Sequence, residues 1–170
     1  MRILGAKQIV VADILEDNLQ IASKVGAHVT LNPSKVDVEK ELQKLVGDGA
    51  DLVLEATGVP HVLQQTLPFT RPRGKIVLAG NQPLDKSLPL TFIENMMRRE
   101  ISLIGCFMSY SAPFPGQEWT ETVSALLNGS LDMDTIISHR YPLSKAPDIF
   151  EKIGAHQLTH QKILLNPEEA

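Results

Sequence analysis

Small residues, glycines and one well-placed acid stand at the ends of apolar runs in this chain, and those are the places where chemistry could be done. Asp13 follows the run at 8–12. Ala56-Thr57-Gly58-Val59 follows the run at 51–55, Ala79-Gly80-Asn81 closes the run at 75–79, and Gly105-Cys106-Phe107 closes the run at 101–106. In an open parallel sheet, loops and helix N-termini converge at the C-terminal ends of the strands, so ligands bind there. An acid in such a position accepts hydrogen bonds from ribose hydroxyls and repels a 2′-phosphate. Aspartate is also a preferred helix N-cap, and small residues also form ordinary turns, so both readings stand for each position taken alone. Their joint occurrence at successive run ends favours the binding reading.

The elements that must position these residues follow from periodicity. The stretch 8–12 is β-branched and apolar on both faces, as a strand inside a parallel sheet is. Leu15, Leu19, Ala22 and Val25 then recur at helical spacing, with Gly26 as a stop. A strand at 28–31, a helix through Val38, Leu42, Leu45 and Val46 ending at Gly47, and a strand at 51–55 repeat the alternation. Pro60 in a first turn opens a helix to residue 67, Gly74 leads into the strand at 75–79, and residues 91–99 and 101–106 supply a further helix and strand. Strands alternating with helices of about ten residues indicate an α/β fold built of βαβ units around a parallel sheet. The segment 108–116 reads as a loop. After it, Trp119, Val123, Leu126 and Leu127 share one helical face, residues 136–143 are extended, Ala146, Ile149, Phe150 and Ile153 share another helical face, and 162–165 closes as a strand.

Composition removes several classes. At 170 residues the chain fits one domain with a real core. No stretch approaches the roughly 18 apolar residues of a spanning helix, and no signal peptide is visible. A net charge of −4 argues against a sequence-independent grip on nucleic acid, and the cluster Arg71, Arg73 and Lys75 reads as a solvated turn. Cys106 is the only cysteine, so neither a disulfide nor a cysteine-built metal site forms within one chain, and the cytoplasm is the expected compartment. Its strand-end position reads as a buried small apolar residue and not as a nucleophile, because no base lies nearby in sequence. Of the five histidines only His156 and His160 share an i, i+4 spacing, and no helical run carries them, so no metal ligands are expected.

Taken in order, the strand ends carry a specific likeness. Gly-Ala-Lys-Gln-Ile-Val-Val-Ala-Asp at 5–13, Glu-Ala-Thr-Gly-Val-Pro at 55–60 and Gly-Lys-Ile-Val-Leu-Ala-Gly at 74–80 resemble the medium-chain, zinc-type alcohol and polyol dehydrogenases. The loop from Tyr110 to Trp119 narrows the likeness to members that oxidise sugar-alcohol phosphates of the galactitol type. The resemblance implies a Rossmann-like dinucleotide-binding domain at 1–135 and a segment at 136–170 that returns to a second, catalytic domain. It implies NAD as cofactor. Asp13 would hold the adenosine ribose, Thr57, Gly58 and Val59 would line the adenosine side of the cleft, Ala79, Gly80 and Gly105 would approach the nicotinamide half, and Lys162 would approach the pyrophosphate. Tyr110 and Ser111 would border the substrate, a polyol or sugar-alcohol phosphate.

The departures from the family pattern are large. A dinucleotide fold opens with a strand, Gly-x-Gly-x-x-Gly and a helix, and here the first residues read as the end of that helix. In the family the zinc ligands and proton relay lie in an N-terminal domain, so no catalytic residue and no zinc site carries over to these 170 residues. The isolated chain is therefore expected to be inactive. In the strand order 3-2-1-4-5-6 the absent first strand belongs between the strands at 8–12 and 51–55. Those two would pair directly, accept a strand from another chain, or rearrange. The resemblance also implies a homodimer through the apolar edge strand at 101–106, helped by 87–90, because such an edge otherwise invites aggregation. The competing readings are a noncatalytic nucleotide-binding or assembly domain and, less well supported by the motifs, a methyltransferase-like domain.

Overall fold

The computed structural model describes residues 1–81, 83, 87–107 and 113–168, and the chain divides into two compact units, Met1–Asn32 with Pro113–Ala170 and Pro33–Ala112. The fold is α/β throughout, and every strand pairing is parallel.

In the first unit, β1 (Val10–Ala12), α1 (Glu16–Lys24) and β2 (Val29–Leu31) form one β–α–β turn, with Val10 opposite Val29 and Ala12 opposite Leu31. The strand is shorter than the apolar run at 8–12 because Ile9 leaves the ladder: its N–H donates to Nδ1 of His28 at 3.0 Å, and its carbonyl accepts from the backbone of His28 and Val29. Helix α1 buries Leu19. After α5 (Gln117–Leu127), a second β–α–β turn follows, made of β6 (Ile137–Pro142), a short 3₁₀ turn, α6 (Ala146–Gly154) and β7 (Lys162–Asn166). Ala125 of α5 and Ile149 of α6 are buried.

The second unit runs α2 (Val38–Val46), β3 (Ala50–Glu55), α3 (Pro60–Phe69), β4 (Thr70–Leu78), α4 (Leu90–Arg98) and β5 (Ser102–Gly105). Asp37 caps α2, its Oδ1 accepting from the Lys40 backbone N–H at 3.2 Å, which satisfies one of the orphan donors of a helix start. The three strands stack in the order β3-β4-β5, with Val53 opposite Ile76 and Ile76 opposite Leu103. Leu63 and Leu67 from α3, Ile76 from β4, Phe92 from α4 and Ile101 form the core, and Leu78, Met96 and Leu103 pack against it. Each such buried side chain contributes about 1.5–3 kcal/mol.

Strand β4 begins at Thr70, five residues before the run at 75–79, where Arg-Pro-Arg-Gly reads as a turn. The register shifts between Ala50 and Leu52, and Arg73 takes a positive φ of 61° within the strand. Four hydrogen bonds hold this irregular stretch. Arg71 Nε donates to Asp51 Oδ1 at 2.6 Å, the Arg73 N–H donates to the Arg99 carbonyl, and the Arg99 guanidinium donates to the carbonyls of Leu67 and Thr70. The basic cluster is thus tied to its neighbours at two of its three members, since Arg73 also faces Glu100 at 3.4 Å.

Among the described residues β1 pairs with β2 alone and β3 with β4 alone. β5 is the other edge of its sheet. Leu103 points into the core while Ile104, on the opposite face, is 41% exposed.

Candidate functional site

Glu55 ends β3 and is only 2% exposed. Its carboxylate organises the loop that follows: Oε1 accepts from the Thr57 N–H at 2.7 Å, the Thr57 hydroxyl at 2.5 Å and the Gly58 N–H at 3.0 Å. The Thr57 hydroxyl in turn accepts from the Val59 N–H at 3.1 Å, and Val59 is the N-cap residue of α3. A buried carboxylate is costly unless it is hydrogen-bonded in this way. The main chain of Glu55 serves the neighbouring loop too, its carbonyl accepting from the N–H groups of Ala79 and Gly80 at 2.8 and 3.1 Å. One acid thereby fixes the two strand ends that the sequence marks as binding loops.

Backbone contact then joins the loops. Gly58 has φ 71°, and a Cβ built there would lie 2.2 Å from the Asn81 carbonyl oxygen. A Cβ on Gly80 would lie 2.2 Å from the Gly58 nitrogen and 2.9 Å from Glu55 Oε2. Only glycine fits at either place, because the atoms in the way are mostly backbone. Thr57, Val59 and Ala79 remain exposed around this seam. Gly105 differs: it is exposed and a Cβ on it would meet nothing within 4 Å. Cys106 is exposed as well, its backbone N–H donating to the Leu78 carbonyl, and this corrects the expectation of a buried apolar cysteine.

In the other unit, Asp13 stands immediately after β1 and is half-buried. Its N–H donates to the Leu31 carbonyl, its Oδ1 accepts from the Leu15 N–H at 2.8 Å, and its Oδ2 accepts from Asn18 Nδ2 at 2.7 Å. The N-cap residue of α1 is Leu15, so Asp13 holds a turn before the helix and does not occupy the cap position. Each carboxylate oxygen accepts more than one hydrogen bond, so two donors leave capacity for two hydroxyls. Lys162 is exposed at the first position of β7. Tyr110 and Ser111 lie outside the described residues.

No group of three or more His, Cys, Asp or Glu among the described residues is placed to hold a metal ion. His160 Nδ1 instead lies 3.0 Å from the Leu158 carbonyl, and His139 stacks on Tyr141 at 5.6 Å. No helix among the described residues is long and apolar enough to cross a membrane.

Comparison with known proteins decides the family. The family model of zinc-binding dehydrogenases matches residues 1–128. The chain belongs to that family. This zinc-binding dehydrogenase chain is 34% identical over 167 residues to galactitol 1-phosphate 5-dehydrogenase of Escherichia coli K12, covering 96% of the chain and 47% of the relative. It is 30% identical over 151 residues to rat sorbitol dehydrogenase, covering 87% and 40%. The crystal structure of galactitol-1-phosphate dehydrogenase from Escherichia coli superposes with a TM-score of 0.86 at 28% identity, over 98% of this chain and 48% of that one. The parallel α/β architecture is therefore Rossmann-type, and the chain spans about half the length of the curated relatives it matches. The zinc of such enzymes finds no donor set among the described residues.

The sequence alone assigns no role to Asn18 or Gln161, and it places Glu55 in the Glu-Ala-Thr-Gly-Val-Pro stretch without a role of its own. A charged residue in the apolar run at 51–55, two positions before Thr-Gly, was the available signal for Glu55.

Proposed function

We propose that this chain is the nucleotide-holding half of an NAD-dependent polyol or polyol-phosphate dehydrogenase of the galactitol-1-phosphate type, working in the cytoplasm. The observation that carries the reading is Asp13: a carboxylate held in one plane at a strand end, with acceptor capacity left for a pair of vicinal hydroxyls. The glycine seam supports it, since Gly58 and Gly80 lock the two strand-end loops against each other and leave Thr57, Val59 and Ala79 exposed around them. When bound, NAD supplies the hydride acceptor. The residues of this chain hold it: Asp13 the adenosine ribose, Thr57, Gly58 and Val59 the adenosine side, Ala79, Gly80 and Gly105 the nicotinamide half, and Lys162 the pyrophosphate. The N-terminus of α3, opening just beyond Val59, adds its partial positive charge to the loop. Polyol oxidation itself belongs to the intact enzyme, and the isolated chain turns nothing over.

A noncatalytic nucleotide-binding or assembly domain is the second reading. Either way the partner is a second copy, paired through the edge strand β5. Titration calorimetry with NAD and NADP tests the cofactor site. NAD binds roughly tenfold more tightly, which corresponds to about 1.4 kcal/mol of repulsion between Asp13 and the added phosphate, and Asp13→Ser narrows the gap. Tighter NADP binding by the unaltered chain removes Asp13 from the ribose site. Residues 1–170 mixed with zinc and a panel of polyols and polyol phosphates should form no NADH; zinc-dependent turnover by the pure chain overturns the division of labour.

A further inference from the structure

The Asp13 carboxylate is one end of a hydrogen-bonded chain that crosses most of the sequence. Its Oδ2 accepts from Asn18 Nδ2 at 2.7 Å, and Asn18 Oδ1 accepts from Gln161 Nε2, a residue 143 positions away. The backbone N–H of Gln161 donates to the Ser138 hydroxyl at 3.0 Å, and that hydroxyl also lies 3.3 Å from the Lys162 carbonyl. All of these residues belong to one compact unit.

We infer that Asn18 and Gln161 are positioning residues of the ribose subsite, tying the Asp13 carboxylate to the start of β7 and so setting the preference between NAD and NADP; this rests on the dinucleotide reading above. The chemistry fixes the direction of the chain. An ionised carboxylate only accepts, so the Asn18 amide must turn its nitrogen toward Asp13 and its oxygen outward. That oxygen only accepts, so Gln161 must present its nitrogen. Asn18 cannot flip without breaking a bond at both ends of its amide, and a flipped Gln161 loses its bond to Asn18.

The carboxylate plane needs both of its ties. The Leu15 N–H holds one oxygen and Asn18 the other. With Asn18 in place, both oxygens stay turned to receive two hydroxyls and meet a 2′-phosphate with full negative charge. With the tie cut, the carboxylate can rotate about its side-chain torsions. It then loses ribose bonds and also yields to a phosphate. Gln161 precedes Lys162, whose carbonyl is within reach of the same Ser138 hydroxyl, so the ribose acid and the lysine proposed for the pyrophosphate are held by one frame.

Two neutral substitutions test this, Asn18→Ala and Gln161→Met, the second keeping length while removing the donor. Calorimetry with NAD and NADP on the full chain should show NAD binding weakened about fivefold, the weight of one ordinary hydrogen bond lost from the support of the carboxylate, with NADP weakened less. The ratio narrows, whereas damage to the fold alone lowers both affinities together. Independently of any nucleotide, ¹⁵N–¹H spectra should show the Gln161 side-chain amide signals shifting in Asp13→Ala. Unmoved Gln161 signals, or equal loss of both affinities, overturns the inference. An unaltered chain that binds neither dinucleotide removes the dinucleotide reading and this one with it; binding with an unchanged ratio removes only the positioning role.

Discussion

Truncating Glu55 to alanine should destabilise the chain more than any other single loss of a polar side chain in the second unit. The carboxylate accepts three hydrogen bonds from the loop above it and is 2% exposed. Hydrogen bonds to a charged group are worth about 1.5–3 kcal/mol each, and a buried donor left unpaired costs about 1–3 kcal/mol. The three do not count equally. Thr57 is exposed, so water can take over its N–H and hydroxyl, while the Gly58 N–H is buried and pressed under Gly80 and Asn81. The expected loss is therefore about 2–4 kcal/mol, dominated by Gly58, against a total stability of about 5–15 kcal/mol for a domain. With a urea dependence of about 2 kcal/mol per molar, the unfolding midpoint followed by circular dichroism falls by about 1–2 M. Glu55→Gln keeps an acceptor oxygen for the Gly58 N–H and should fall by less than half of that. A double-mutant cycle with Thr57→Val should give a non-zero coupling. An alanine variant whose midpoint stays within about 0.2 M of the unaltered chain refutes the claim that this carboxylate builds the loop.

Glycine substitutions separate packing from chance. Gly80→Ala drives a Cβ to 2.2 Å from the Gly58 nitrogen and should cost about 1–3 kcal/mol or more together with dinucleotide binding, while Gly105→Ala meets nothing within 4 Å and should leave the urea midpoint unchanged. At the start of α2, hydrogen bonds from the Lys40 side chain and backbone lower the Asp37 carboxyl below the ordinary aspartate range. A group lowered on folding stabilises above its unfolded value and loses that contribution as pH falls through its folded one, so Asp37→Ala should lower the urea midpoint at neutral pH by an amount that shrinks as pH falls below the ordinary aspartate range. Ile104→Lys probes the edge strand better than a change at Leu103, which packs on the core: light scattering should show a dimeric mass falling to a monomeric one with the circular dichroism spectrum kept, and a monomeric mass before and after contradicts pairing through β5.

Local periodicity made the strands and helices legible, because apolar runs on two faces and stripes on one face are written in neighbouring residues. The ends were less legible. His28 takes the Ile9 N–H and shortens β1, a side-chain contact across 19 positions, and Arg73 keeps β4 going through a stretch composed like a turn. The site divides the same way. Asp13, Gly58 and Gly80 could be named because their types are unusual at strand ends. Glu55 is legible as the start of a motif but not as the acceptor that builds the loop, although a carboxylate in an apolar run must find donors. The tie from Asn18 to Gln161 has no trace in either neighbourhood, since only the fold brings the two amides together.

The most direct test of the central claim, that these strand ends hold a dinucleotide, is a ¹⁵N–¹H spectrum of the full chain titrated with NAD. Saturating shifts are expected at Asp13, Thr57, Gly58, Val59, Ala79, Gly80 and Lys162. Shifts that saturate elsewhere, or a spectrum unmoved at millimolar NAD, contradict it.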